Sequence, residues 1–312
     1  MKKLPLLFIL LMGASLIYAK DEDSIKLMEK RIAFFTDSVH KAMKWEQGSI
    51  SISGNAVKLN IPKGFKFLNA TQSQYVLEDL WGNLEDKSVL GMIFPENLNP
   101  LGDTTWAYIV TFEKMGFVKD NDADDIKYDG LLKELKEDSK KANEERVKQG
   151  MGRFELIGWA QKPYYDKKNK VLHWAKEYQS ENSEEHTLNY DIRILGRKGV
   201  LSLNAVAGIS HLPEVKSTID QVLTMAEFTE GNKYTDFKPG TDEIAAWTIG
   251  GLVAGKVLAK VGLWAIFAKF FKLILIGIAG VGGIIWKFIT GKKKKQEEQY
   301  TPVTKEEIDS TT

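Results

Sequence analysis

The stretch VLHWAKEYQSENSEEHTLNYDIRILGRKGVLSLNAVAG, residues 171–208, decides the fold class. It divides into three runs, Val171 to Tyr178, Thr187 to Leu195 and Val200 to Val206, rich in β-branched, aliphatic and aromatic residues and separated by polar or glycine-bearing links. The link Gly196–Gly199 is far too short for a crossover helix, so the runs it joins must pair antiparallel. Upstream, Phe154 to Ala160 is a fourth such run, reached across the turn-rich segment Asp166–Lys170. The expected nucleus is therefore an antiparallel meander, with the remaining elements packed around it.

Toward the N-terminus the hydrophobic period changes. Ile25, Met28, Ile32, Phe35, Val39 and Ala42 recur at helical spacing and predict an amphipathic helix. Ile50 and Ile52, then Val57, Leu59 and Ile61, alternate with polar residues about Gly54-Asn55, which favours a two-residue hairpin turn. Asn69 or Thr71 caps a short helix running through Leu80, and Val89 to Phe94 and Thr105 to Phe112 are strands ahead of Gly116. From Tyr128 to Gln149 a helix places Leu131, Leu132, Leu135 and Ala142 on one side and the pairs Glu137/Lys141 and Glu144/Lys148 on the other, with Gly150 as its C-terminal cap. After the meander, a helix from Leu212 to Phe228 is opened by Ser210, with Pro213 in its first turn. The elements describe an α+β domain, a largely antiparallel sheet packed with helices, over residues 20–241.

The two ends of the chain predict where that domain resides. Residues 1–19, MKKLPLLFILLMGASLIYA, combine two lysines, an apolar run and Ala19 before a charged segment, the layout of a cleavable export signal. Phe270 to Ile289 is an apolar stretch of about 30 Å at ~1.5 Å per residue, enough for one transmembrane helix. The basic block Lys292, Lys293, Lys294, Lys295 follows it as a stop signal, within a polar tail over residues 290–312. The positive-inside rule then places the domain outside the cytoplasm as a single-pass protein of the bacterial inner membrane, with the lipid bilayer as its first partner. Ile244 to Phe267 reads differently from that span. Lys256 and Lys260 share one face, and a lysine at a helix centre costs roughly 2.5–3.5 kcal/mol on insertion scales, so an amphipathic, membrane-associated helix over 244–267 is expected. Gly251, Gly255 and Ala259 would give it a small-residue face for helix packing and a homo-oligomer.

Composition narrows the function classes. A net charge of +1 offers no phosphate-tracking surface, so nucleic acid is not an expected partner. The absence of cysteine removes disulfides, thiol nucleophiles and thiolate metal sites. Asp120, Asp122 and Asp124 have the opening spacing of a calcium loop, but Asp125 stands at the required glycine and Leu131 at the closing glutamate. Those acids are better explained as favourable charge ahead of the Tyr128 helix. His40, His173, His186 and His211 lack metal-ligand spacing, and no nucleophile elbow, phosphate loop or dinucleotide fingerprint occurs, so no cofactor is expected. Trp159, Tyr164, Tyr165, Trp174 and Tyr178 concentrate on one predicted hairpin, where they line a binding groove or simply pack the core.

Several longer strings carry a family resemblance: NEERVKQG (143–150), GWAQKPYYD (158–166), HWAKEY (173–178), LNYDIRILGRKGVLSLNAVAG (188–208) and YTDFKPGTDEIAAW (234–247). They resemble a bacterial family of predicted membrane-anchored proteins of unknown function. The resemblance implies a location and supplies no catalytic residue. The export signal, the strand-plus-Pro-Gly opening LNIPKGFKFL and a late helix reaching Glu227-Phe228 are similar in architecture to the α/β sandwiches of the PsbP and Mog1 type. Two functional readings remain. One is a non-enzymatic extracytoplasmic module binding a protein or envelope ligand; the other is an envelope hydrolase using carboxylates or His173.

Overall fold

The computed structural model describes residues 22–255 apart from 103, 149 and 182. The predicted signal (1–19), residues 256–267 of the predicted membrane-associated helix with Lys256, Ala259 and Lys260, the predicted span (270–289), the Lys292–Lys295 block and the tail (290–312) lie outside the described residues. Among the described residues no helix is long and apolar enough to cross a membrane.

The chain opens with α1 (Glu22–Ala42), β1 (Gly48–Ile52), β2 (Val57–Ile61) and β3 (Phe65–Asn69). It continues through α2 (Ala70–Gln74), extended by a π-helical turn (Tyr75–Leu80), to β4 (Val89–Pro95), β5 (Ala107–Glu113) and α3 (Tyr128–Lys148). The meander follows as β6 (Phe154–Asp166), β7 (Val171–Ser180), β8 (Thr187–Leu195) and β9 (Val200–Gly208), and the chain closes with α4 (Leu212–Met225), β10 (Ala226–Phe228) and α5 (Ile249–Ala254). The strands form two antiparallel sheets, one ordered β1-β2-β10 and a seven-stranded one ordered β3-β4-β5-β9-β8-β7-β6. The α+β class with antiparallel sheets and packed helices is thus as the sequence predicts.

Alternation along the central strands gives the large sheet two faces. On the first face Tyr108, Val110, Tyr190, Ile192, Leu201 and Leu203 share one core with Val57 and Leu59 of the small sheet and with Val215, Ile219 and Val222 of α4. Val57, Leu59, Val215 and Val222 are all wholly buried there. The second face is covered only toward its two ends. At one, Val39, Met43, Val76 and Leu77 pack on Leu68, Met92, Phe94 and Ala107. At the other, Leu131 of α3 and Ile249, Leu252 and Val253 of α5 pack on Leu172, Trp174, Leu195 and Val200.

Four local expectations change. The predicted helix to Phe228 ends at Met225, because Ala226–Phe228 pairs with Val57–Leu59 and completes the small sheet. Ser210 does not cap that helix: its hydroxyl donates to Glu185 instead, at 2.6 Å. The strand expected over 154–160 runs on to Asp166 through Pro163, tolerated because β6 is an edge strand whose register shifts three times against β7. The β1–β2 turn does centre on Gly54-Asn55, but Ser53 joins them at positive φ, so Ser53 to Ala56 all lie between the strands.

Candidate functional site

Between the flaps of α1–α2 and α3–α5, the second face of the large sheet carries polar side chains in aligned rows. Thr111 of β5 is opposite Ser202 of β9, which is opposite Arg193 of β8. In the next row Asn204 faces Asp191, and in the next Asn189 faces Lys176 of β7. The rows run out into apolar residues on both sides. Thr111 neighbours Val89, while Arg193 and Asp191 neighbour Leu172 and Trp174. With strands about 4.8 Å apart, the polar island crosses β5, β9, β8 and β7 over roughly 15 Å.

Part of the island is satisfied internally. The Arg193 guanidinium contacts the Glu113 carboxylate, lies 3.4 Å from Asp191 Oδ1, and has its carbon 5.5 Å from the Trp174 ring centroid. Its Nε is buried without a partner, and Asp191 is only 7% exposed. The rest is uncommitted. Lys176 Nζ and the side-chain polar atoms of Thr111, Ser202, Asn204 and Asn189 have no hydrogen-bond partner among the described residues; Thr111, Lys176, Asn189 and Asn204 are part-exposed, whereas Ser202 is 3% exposed. Burial draws the Lys176 pKa below the usual lysine range; Arg193 adds to that shift and Asp191 opposes it.

The five aromatic residues singled out as a groove or core packing are divided between the core and the surface. Trp174 is 1% exposed within the α3–α5 core, and Trp159 and Tyr165 pack against the same core. Tyr178 stacks on Phe154 with ring centroids 4.7 Å apart. Tyr164, 44% exposed, lies over His173 at 4.6 Å between ring centroids. His173 points to the first face. It is 2% exposed, its Nδ1 has no partner, and burial pushes its pKa down to about 4 against weaker opposition from Asp166 and Asp220.

The acids expected to precharge the Tyr128 helix serve other elements. Asp120 accepts from Lys170 Nζ at 2.7 Å, Tyr165 Oη at 2.9 Å and Tyr234 Oη at 3.1 Å. Burial works to raise the Asp120 pKa, but these hydrogen bonds outweigh it and the net shift is downward. Asp122 accepts from the Ile249 and Gly250 amides at the start of α5, at 3.2 and 3.4 Å, and Asp124 pairs with Lys167. Gly251 is buried inside the domain, and Gly255, at φ 68°, carries the left-handed cap of α5. The remaining histidines stay apart: His186 contacts Glu177, His40 packs on Trp45, and His211 lies 3.2 Å from the Thr104 carbonyl. Ser210 Oγ lies 3.3 Å from His211 Nδ1, but Glu185 contacts the serine rather than the imidazole, so the three do not form a nucleophile–base–orienter relay. Among the described residues no group of three or more potential ligands could hold a metal ion. The polar island was not singled out from the sequence, although Asn189-Asp191-Arg193 and Ser202-Asn204 at alternate positions carry its signal.

A family model described as "Protein of unknown function (DUF2167)" matches residues 44–283. The solution structure of cyanobacterial PsbP (CyanoP) from Synechocystis sp. PCC 6803 is similar at 14% identity and a TM-score of 0.33, over 58% of this chain and 91% of its own. The crystal structure of the Ran-binding protein Mog1p from Saccharomyces cerevisiae is similar at 10% identity and a TM-score of 0.30, over 63% of this chain and 100% of its own. These are the two architectures named from the sequence. No curated protein matches the sequence.

Proposed function

The chain belongs to the DUF2167 family of proteins of unknown function, and from that premise we propose a membrane-anchored, extracytoplasmic, non-enzymatic binding module of the bacterial cell envelope. In this reading residues 1–19 direct export, 270–289 span the inner membrane once, and Lys292 to Lys295 hold the tail inside. The observation that carries the binding role is the polar island. It holds four part-exposed residues without hydrogen-bond partners, Thr111, Lys176, Asn189 and Asn204, on strands paired on both sides, where no serine, threonine or lysine among the described residues is engaged by a base. Preorganised, uncommitted polar groups serve recognition, since their partner has to come from outside the fold.

Two substitutions test location and role. The chain has no cysteine, so Lys168→Cys on the exposed β6–β7 turn is a unique target for a membrane-impermeant maleimide. Labelling in intact spheroplasts is expected; labelling only after lysis would contradict the extracytoplasmic placement. A photo-crosslinking amino acid at Asn204 should give a cell-specific adduct that the same probe at Lys168 does not. An identical pattern from both positions would remove the island from the reading.

A further inference from the structure

Resting on that binding role, we infer that the island takes a polyhydroxylated, negatively charged ligand, an acidic glycan, with Lys176 meeting one of its carboxylates or phosphates and Asn189, Asn204 and Thr111 meeting the hydroxyls. The side-chain chemistry selects this class. Amides and hydroxyls each donate and accept, as sugar hydroxyls do, and here they are spread over three successive rows rather than focused on one point. The acids already have partners: Arg193 draws on both Glu113 and Asp191, so neither carboxylate is left to call for a cation. Lys176 makes no hydrogen bond or ion pair among the described residues, and Asp191, the carboxylate that acts on it, is already engaged by Arg193. An incoming carboxylate or phosphate would complete the lysine with a charge-assisted bond. Trp159, opposite Lys176 on β6, closes that side of the island as part of the α3–α5 core.

A peptide suits the site less well. β8 and β9 are paired on both sides, so no backbone edge is open there for strand addition. The site size fits a short oligomer, because roughly 15 Å spans two to three sugar rings.

The test uses the full-length protein in detergent and calorimetric titration with trigalacturonate, with maltotriose as the neutral counterpart and inorganic phosphate as the bare anion. Trigalacturonate should bind best, and Lys176→Met should weaken it roughly tenfold or more while leaving maltotriose unchanged. Asn204→Leu should weaken both sugars, and the melting temperature of each variant shows whether it folds. Phosphate binding as tightly as trigalacturonate would reduce the island to an anion site and overturn the glycan inference. No binding of either sugar, with the Asn204-specific adduct in cells intact, would overturn the ligand class and leave the binding role standing. Loss of both would take the binding role with it.

Discussion

His173 sets the acid behaviour of the fold. Its imidazole is buried against Tyr164 with a pKa near 4, against about 6.5 in an unfolded chain. Above pH 6.5 both states are neutral and the histidine contributes nothing to pH dependence. Between pH 6.5 and 4 the unfolded chain binds a proton that the fold refuses, so stability falls with pH, by about 3 kcal/mol in all. His40, lowered chiefly by burial and next by Lys66, acts in the same direction. Asp242 adds a separate limb: Arg197 holds its carboxyl down to about 2, so that contribution is present above the ordinary carboxylate range and lost as pH falls through 2. His173→Phe should keep the ring stack and flatten the decline between pH 6.5 and 4. Urea midpoints measured across that interval decide it, and an unchanged slope would assign the proton elsewhere. Gly199 tests packing at the same scale. A Cβ there would lie 2.1 Å from the Glu113 carbonyl oxygen, a backbone atom that cannot turn aside. Gly199→Ala should cost about 1–3 kcal/mol, read as a melting temperature several degrees lower.

Helix α5 shows how one element can be hidden inside a pattern that reads as another. Its residues Ile249–Ala254 open the long apolar run that continues to Ile289, and hydrophobicity alone does not separate a short core helix from the approach to a membrane span. What separates them is tertiary. Asp122, well over a hundred positions upstream, accepts from the Ile249 and Gly250 amides, and Thr248 Oγ1 accepts from Gly251 at 3.2 Å. Asp122→Ala should therefore speed hydrogen exchange at Ile249 to Val253 with a loss of about 1 kcal/mol, as for other lost helix caps, while exchange in β8 and β9 stays slow. Equal protection in variant and parent would mean that Thr248 alone holds the helix start. The meander was legible because period-2 runs with short links admit one pairing. β10 was not: Ala226 to Phe228 continue the helical period of α4 and become a strand only because β2 offers them an edge. The polar island escaped for a related reason. Alternate polar residues on β8 and β9 read as an ordinary solvent face until the helices at either end show that the face is flanked on both sides.

The segment between β10 and α5 joins the sheets to whatever follows residue 255, and the fold fastens it at several points. Arg197 Nε and Nη2 each donate to Asp242 at 2.7 Å, and its third nitrogen donates to the Gly231 carbonyl at 3.0 Å. Ile244 bridges in parallel to Phe117, and Gly116 approaches so closely that a Cβ would sit 2.8 Å from the Glu243 carbonyl oxygen. A bidentate arginine–carboxylate pair is oriented as well as attractive, and lysine cannot reproduce its fork. Arg197→Ala should loosen residues 233–245 and expose the bond after Lys233 to trypsin, while both sheets, which end at Phe228, remain intact. Arg197→Lys should fall between parent and alanine variant. In membranes carrying the full-length protein that single cut leaves the body joined to residues 234–312 only through the packing of α5, so under the proposed tether mild denaturant should release the body from the variant and not from the parent. Cleavage after Lys233 with release only in mild denaturant would mean that α5, buried in the body, holds the two fragments together after the cut; cleavage with no release even then would count against residues 270–289 as the anchor. Equal resistance of parent and both variants would show instead that the Phe117–Ile244 pairing holds the segment without the arginine.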